Sequence, residues 1–196
     1  MAASALVSKS PAERTFQIVE GPNAGQTCRQ TIEAVTDGWR LTLEGFDIVQ
    51  LSLHEDGTLL TIQEEDITSR VRVHYDPPLP ILPARLAVGH SLEGESRVEI
   101  RNLSDGSVRT KGVCKYHIEL FGRQWINTPA GRFDAYVVQA NRQMALDMAT
   151  VDVTLLNAYV PGKGQIAQTL AKKVLVMGLF PTQSEREIRV ASFRGR

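Results

Sequence analysis

The sequence is poor in the residues that mark most chemistries. It carries two cysteines and four histidines in 196 residues, too few and too scattered for the Cys and His quartets of a structural zinc site. Neither charge is in excess, since 22 basic and 22 acidic residues leave a formal net charge of zero. Such a balance excludes the basic footprint of a nucleic-acid binder at the level of the whole chain. Uninterrupted apolar runs span only a handful of residues, so no transmembrane helix is written into the chain. Helical periodicity is scarce as well, which argues against parallel strands joined by helical crossovers. No segment repeats and none is of low complexity.

What remains is ordinary globular material, 42% hydrophobic and 22% charged, long enough to bury one sizeable core. Residues 1–12 are small or polar without periodicity and read as a flexible tether, the bland start expected of a mature exported chain; residues 13–196 read as a single domain. Turn signals recur at short intervals, among them Asp37-Gly38, Glu44-Gly45, Asp56-Gly57, Asp105-Gly106, Pro129-Ala130-Gly131 and Pro161-Gly162. Between them apolar residues alternate, as in Trp39, Leu41, Leu43; Val71, Val73, Tyr75; and Cys114, Tyr116, Ile118, Leu120. A period of two gives each strand one apolar and one wet face. Hairpin after hairpin predicts an all-β fold: a long, curved antiparallel meander of roughly ten strands, rolled into an incomplete barrel with little helix.

Two segments depart from this pattern. Residues 77–92 hold four of the nine prolines, which predicts an extended apolar loop, either a strap closing one end of the barrel or a lid over a cavity. Residues 164–176 suit a helix by propensity and a strand by their place in the meander; strand is the expectation. Cys28 and Cys114 both fall in strand-like runs, as a cross-strand disulfide or as two buried thiols.

Candidate catalytic motifs dissolve on inspection. Pro161-Gly162-Lys163-Gly164 lacks the spacing and the Ser/Thr of a phosphate loop, and no helical pattern follows Gly21-Pro22-Asn23-Ala24-Gly25 as a dinucleotide fingerprint requires. His54-Glu55-Asp56 sits at a turn, and the run Glu64-Glu65-Asp66 reads as a solvated turn rather than a calcium loop. His74 and His117 oppose the parity of the apolar residues beside them and are expected to face solvent. Gly89-His90-Ser91-Leu92-Glu93-Gly94 is spaced unlike a nucleophile elbow. These readings predict no catalytic residue, no metal site and no cofactor. An enzyme would require a polar cluster such as Arg85 with Glu95 or His90. The aromatic residues Phe16, Trp39, Phe46, Tyr116, Trp125, Phe133, Tyr136 and Tyr159 are left to line a concave apolar surface, though each taken singly reads better as ordinary core.

One stretch is distinctive. Thr128-Pro129-Ala130-Gly131-Arg132-Phe133-Asp134-Ala135-Tyr136-Val137-Val138, followed by Tyr159-Val160-Pro161-Gly162-Lys163-Gly164, resembles a family of exported bacterial proteins of unknown function, in which a TPAGxF strand precedes an aromatic-x-x-PGxG turn. Lys163 stands where that pattern has an apolar residue. The resemblance implies a periplasmic or lipid-anchored envelope protein whose curved sheet is similar to that of lipoprotein carriers and receptors, and it implies no reaction. The resulting expectation is a non-enzymatic protein that binds an acyl chain or other hydrophobic small molecule inside the sheet, with Trp39, Phe46, Leu82, Tyr116, Phe133 and Tyr159 as its lining. A barrel filled by its own side chains would instead leave an interaction or structural module of the envelope, docking another protein through edge strands or an exposed patch on Leu79, Ile81 and Leu82.

Overall fold

The computed structural model describes residues 12–85, 87–176 and 180–192, the side chains of 12 and 180–183 excepted. Twelve antiparallel strands follow in chain order: β1 (Ala12–Glu20), β2 (Thr27–Val35), β3 (Gly38–Leu43), β4 (Asp47–Leu53), β5 (Leu59–Asp66), β6 (Val71–Leu82), β7 (Ser91–Asn102), β8 (Val108–Thr128), β9 (Gly131–Leu146), β10 (Ala149–Val160), β11 (Gly164–Val176) and β12 (Phe180–Ala191). Each pairs with the next, and β1 pairs with β12, so the sheet is a closed barrel rather than the incomplete one expected. Closure removes the two terminal edge strands, and an unpaired stretch remains where β6 and β7 part beyond Asp76–Arg97.

The alternation in the sequence explains the wall. On β7 and β8 the residues Ser96, Val98, Cys114 and Ile118 are buried, while Glu93, Glu95, Arg97 and Lys115 face water. Arg29, Glu33, Arg72 and Arg101 are likewise exposed on their strands. A charged outer wall over an apolar interior is the reverse of the apolar belt that a lipid-facing barrel presents. His74 and His117 take the outward parity expected of them.

The proline-rich segment is a correction. Pro77, Pro78 and Pro80 lie within β6, which continues to Leu82 and pairs with β5 through Thr61–Leu79, Leu60–Pro80 and Leu59–Leu82. Towards β7 the ladder stops at Asp76–Arg97. Along 77–82 one side of the strand therefore needs no donor, which is where a central sheet tolerates proline. Leu79 and Leu82 are fully buried, so the exposed patch imagined there does not exist. Residues 164–176 form β11, as expected.

Three apolar clusters fill the barrel. The first joins Leu51, Leu59, Leu82, Ile118, Leu120, Val138 and Ala140; the second joins Phe16, Ile18, Cys28, Leu43, Ala135, Ile166 and others; the third joins Tyr75, Leu79, Val98 and Cys114. Cys28 and Cys114 are free thiols in different clusters, on strands that are not neighbours. Burial pushes the Cys114 thiol up to about 11, which makes it inert at neutral pH. The Tyr116 ring covers Gly94 across the β7–β8 ladder, where a Cβ would lie 2.3 Å from its hydroxyl oxygen. Only glycine leaves room for that ring.

Charge also enters the interior. Glu64 and Asp66, read as part of a solvated turn, belong to β5 and point inward, because only alternate residues of that acidic run can face water. Glu64 Oε1 accepts from Arg142 Nη1 on β9 at 2.8 Å, and the Tyr75 hydroxyl donates to Glu64 Oε2 at 3.1 Å. Burial alone would lower the Arg142 guanidinium; the charge of Glu64 and its hydrogen bond override it and hold the group raised. Lys172 on β11 reaches Asp66 at 3.7 Å, and Arg189 on β12 reaches Asp47 at 3.7 Å while also pairing with Glu187. Arg142→Met should cost about 3–5 kcal/mol, because it strands a desolvated carboxylate. Urea unfolding checks this, and Glu64→Gln with Arg142→Met should recover a large part of the loss.

Candidate functional site

The residues expected to line an apolar cavity are packed against one another. Leu82 is a member of the first cluster, and Trp39, Tyr116 and Tyr159 pack onto it. Phe46 and Phe133 pack onto the second, with the Arg189 guanidinium 4.9 Å from the Phe46 ring and Lys163 Nζ 5.0 Å from the Phe133 ring. Burial raises the Tyr159 hydroxyl to about 12. Trp125 lines nothing: it is 61% exposed at the end of the β8–β9 hairpin, with Arg132 stacked 4.6 Å from its ring. Arg85, His90 and Glu95 are all exposed. Phe16, Gln30, Leu43, Gln165, Gln168 and Arg189 border a small half-open hollow of about 10 Å³, the size of one water molecule.

The larger concavity lies on the outer wall. It has a volume of about 480 Å³ and crosses β7, β8, β9 and β10. Register builds it from two rows of side chains. In one, Glu93, His117, Asn141 and Thr154 stand opposite one another on successive strands; in the next, Lys115, Gln143 and Asp152 do the same. All share the parity opposite to Tyr116, Arg142 and Val153, whose backbone forms the floor.

These polar groups are already oriented by neighbours. His117 Nδ1 lies 2.8 Å from Glu93 Oε1, and its Nε2 lies 3.7 Å from Glu119. The Thr154 hydroxyl and the Gln139 amide both donate to Asn141 Oδ1 at 3.1 Å. Gln143 Nε2 donates to Asp152 Oδ1 at 3.0 Å. Lys115 has no ion pair among the described residues. Fixed rotamers reduce the entropy lost when a ligand is bound. The rows offer donors and acceptors side by side, so they can satisfy hydroxyl and amide groups in both senses.

Sequence reasoning found the outward parity of His117 and stopped there. A usable signal was present: Gln139, Asn141 and Gln143 place three amides at alternate positions on one strand, where charged residues would serve solubility better. What joins them to Glu93 or Asp152 is register, which the sequence does not display.

A buried charge tunes the barrel near the second cluster. Desolvation pushes Asp47 up to about 6, against the opposing pull of Arg189, even though 40% of its side chain is exposed. Between 3.8 and about 6 the native state keeps a proton that the unfolded chain has released, so stability falls as pH rises through that window. Asp47→Asn should flatten this decline, measured as the difference in urea midpoint between the variant and the parent at pH 4 and pH 7.

No protein-family model matches the chain, and neither does any curated protein. Among solved structures, a "putative lipoprotein" from Parabacteroides distasonis is similar at 13% identity, with a TM-score of 0.44 over 92% of this chain and 94% of that one.

Proposed function

We propose that this protein is a non-enzymatic binding module that recognises a hydrophilic, hydroxyl- or amide-bearing ligand on the outer wall of a solid barrel, in the groove across β7–β10. One contrast carries the reading: a 480 Å³ groove with seven polar side chains lies on the outer wall, while the residues expected to line an inner cavity pack onto the apolar clusters. Ligand sites combine concavity with a few oriented polar groups, and the groove has both.

The reading as a carrier of acyl chains meets a physical obstacle. A chain inside the barrel would have to displace Leu82, Ile118, Leu120 or their neighbours, all 2% exposed or less, at the cost of core packing. The envelope placement implied by the motif at 128–164 is independent of which ligand is bound, and cell fractionation with an antibody against the protein checks it.

Amide spectra of the labelled protein titrated with pooled sugars, and separately with a fluorescent fatty acid, test the proposal. The expected result is shifts confined to residues 93, 115–117, 141–143 and 152–154 with the sugar pool. Asn141→Ala and Gln143→Ala should each weaken that response at least about tenfold; because they also remove the bonds from Thr154 and Gln139 to Asn141 and from Gln143 to Asp152, the urea midpoint is measured alongside, and the loss of response must exceed what any shift in it explains. Saturable fatty-acid binding with shifts at Leu82, Tyr116 and Tyr159 would overturn the outer-wall reading.

A further inference from the structure

Three arginines are buried among the described residues: Arg14, Arg142 and Arg189. Two of them have acids. Arg142 holds Glu64, and Arg189 holds Glu187 and Asp47. Arg14, only 7% exposed, has no hydrogen-bond or ion-pair partner among the described residues. Its guanidinium is lowered by desolvation alone, with no carboxylate acting on it. A charge taken out of water and left unpaired carries a large penalty, which proteins offset with an opposite charge.

The surroundings are shaped around this group. Gly164, the last residue of the Pro161-Gly162-Lys163-Gly164 turn, has φ +75°, and a Cβ there would lie 2.6 Å from both terminal nitrogens of Arg14. The seat of the guanidinium against the β10–β11 turn thus depends on glycine. Lys163 of the same turn sits over the Phe133 ring and has no ion pair among the described residues. Directly across the β1–β2 ladder, Gln30 is Arg14's register partner. Its side chain is buried, and Oε1 has no hydrogen-bond partner. Turning that amide over would present Nε2 as a donor instead. Gln30 also borders the hollow of about 10 Å³, which Arg189 lines and neither Arg14 nor Lys163 does.

We propose that Arg14, with Gln30 and Lys163, forms a binding site for a small oxyanion, a carboxylate or a phosphate, at the end of the barrel where β1 begins and the β10–β11 turn closes. An oxyanion accepts from a guanidinium fork and an amide N–H₂ at once, and it supplies the charge that the described chain withholds. The site is separate from the outer groove on β7–β10, so either can fail without the other.

Thermal unfolding in acetate and in phosphate, each varied at constant ionic strength, tests this. The parent should gain about 3 °C at ten times the dissociation constant, and Arg14→Met should gain nothing. In the lowest-anion buffer Arg14→Met should melt above the parent, because the unpaired charge is gone. A response to acetate alone assigns a carboxylate ligand, to phosphate alone a phosphate ligand, and to both a general oxyanion site. A parent without an anion response, or equal responses in parent and variant, overturns the proposal. Should Arg14→Met fail to fold, Gly164→Ala decides: with Arg14 kept but its space filled, the response must shrink, and an undiminished response overturns the proposal equally.

Discussion

Closure of twelve strands is the constraint from which the rest of this structure follows. Eight strands make a barrel that side chains can just fill; each further strand widens the ring. A round barrel of twelve would hold a channel or a ligand-sized cavity, yet here inward-facing residues pack into three apolar clusters. The ion pairs show how the excess is removed. Asp66 on β5 meets Lys172 on β11, six strands away on a ring of twelve. Glu64 meets Arg142 and Asp47 meets Arg189, each pair four strands apart around the ring. Strands that lie so far apart along the wall touch through their side chains only if the barrel is flattened. Its two broad sides then pack face to face, as the layers of a sandwich do.

Flattening explains why charges occur in the interior at all. Arginine and lysine have the reach to cross what remains of the lumen, and their stems add apolar area on the way. The cost is desolvation, and it is met where the geometry is good: Arg142 pairs with a carboxylate that also accepts from a tyrosine. Where the partner is farther off, as for Asp47, the carboxyl is pushed toward its neutral form. Register is a second consequence. A slip of one residue in β5 would turn Glu64 and Asp66 out to water and leave Arg142 and Lys172 alone inside, so the pairs select one alignment.

Much of this was legible in the sequence, and the failures have a common cause. Alternation in Trp39–Leu43, Val71–Tyr75 and Cys114–Leu120 located strands and their buried faces, because period and parity are properties of a single strand. The prolines of 77–83 misled, because whether proline can enter a sheet depends on which side of the strand is paired. Glu64 and Asp66 misled in the same way: their partners, Arg142 and Lys172, come 78 and 106 positions later. The aromatic residues expected on the concave surface, other than Trp125, pack in or against the apolar clusters, as core residues do. Whether they enclosed a void was beyond reach, since void volume belongs to all twelve strands together. The outer groove escaped notice for the reason that register did.

A filled lumen moves recognition to other surfaces. Closure leaves the sheet without a terminal edge strand, and the apolar clusters occupy its interior. The long strands β8 and β9 supply what is missing. At 21 and 16 residues they exceed the span of their neighbours, and long strands must twist and coil. Beyond the register shift between Leu120 and Gly122 the hairpin turns its apolar residues Ile126, Phe133 and Ala135 onto the second cluster, and the Ala130 N–H reaches the Ala191 carbonyl at 3.3 Å. Before that shift the same strands carry Lys115, His117, Asn141 and Gln143 across the outer hollow. The irregularity that lets one pair of strands cap the barrel also separates its capping end from the end that carries the outer groove.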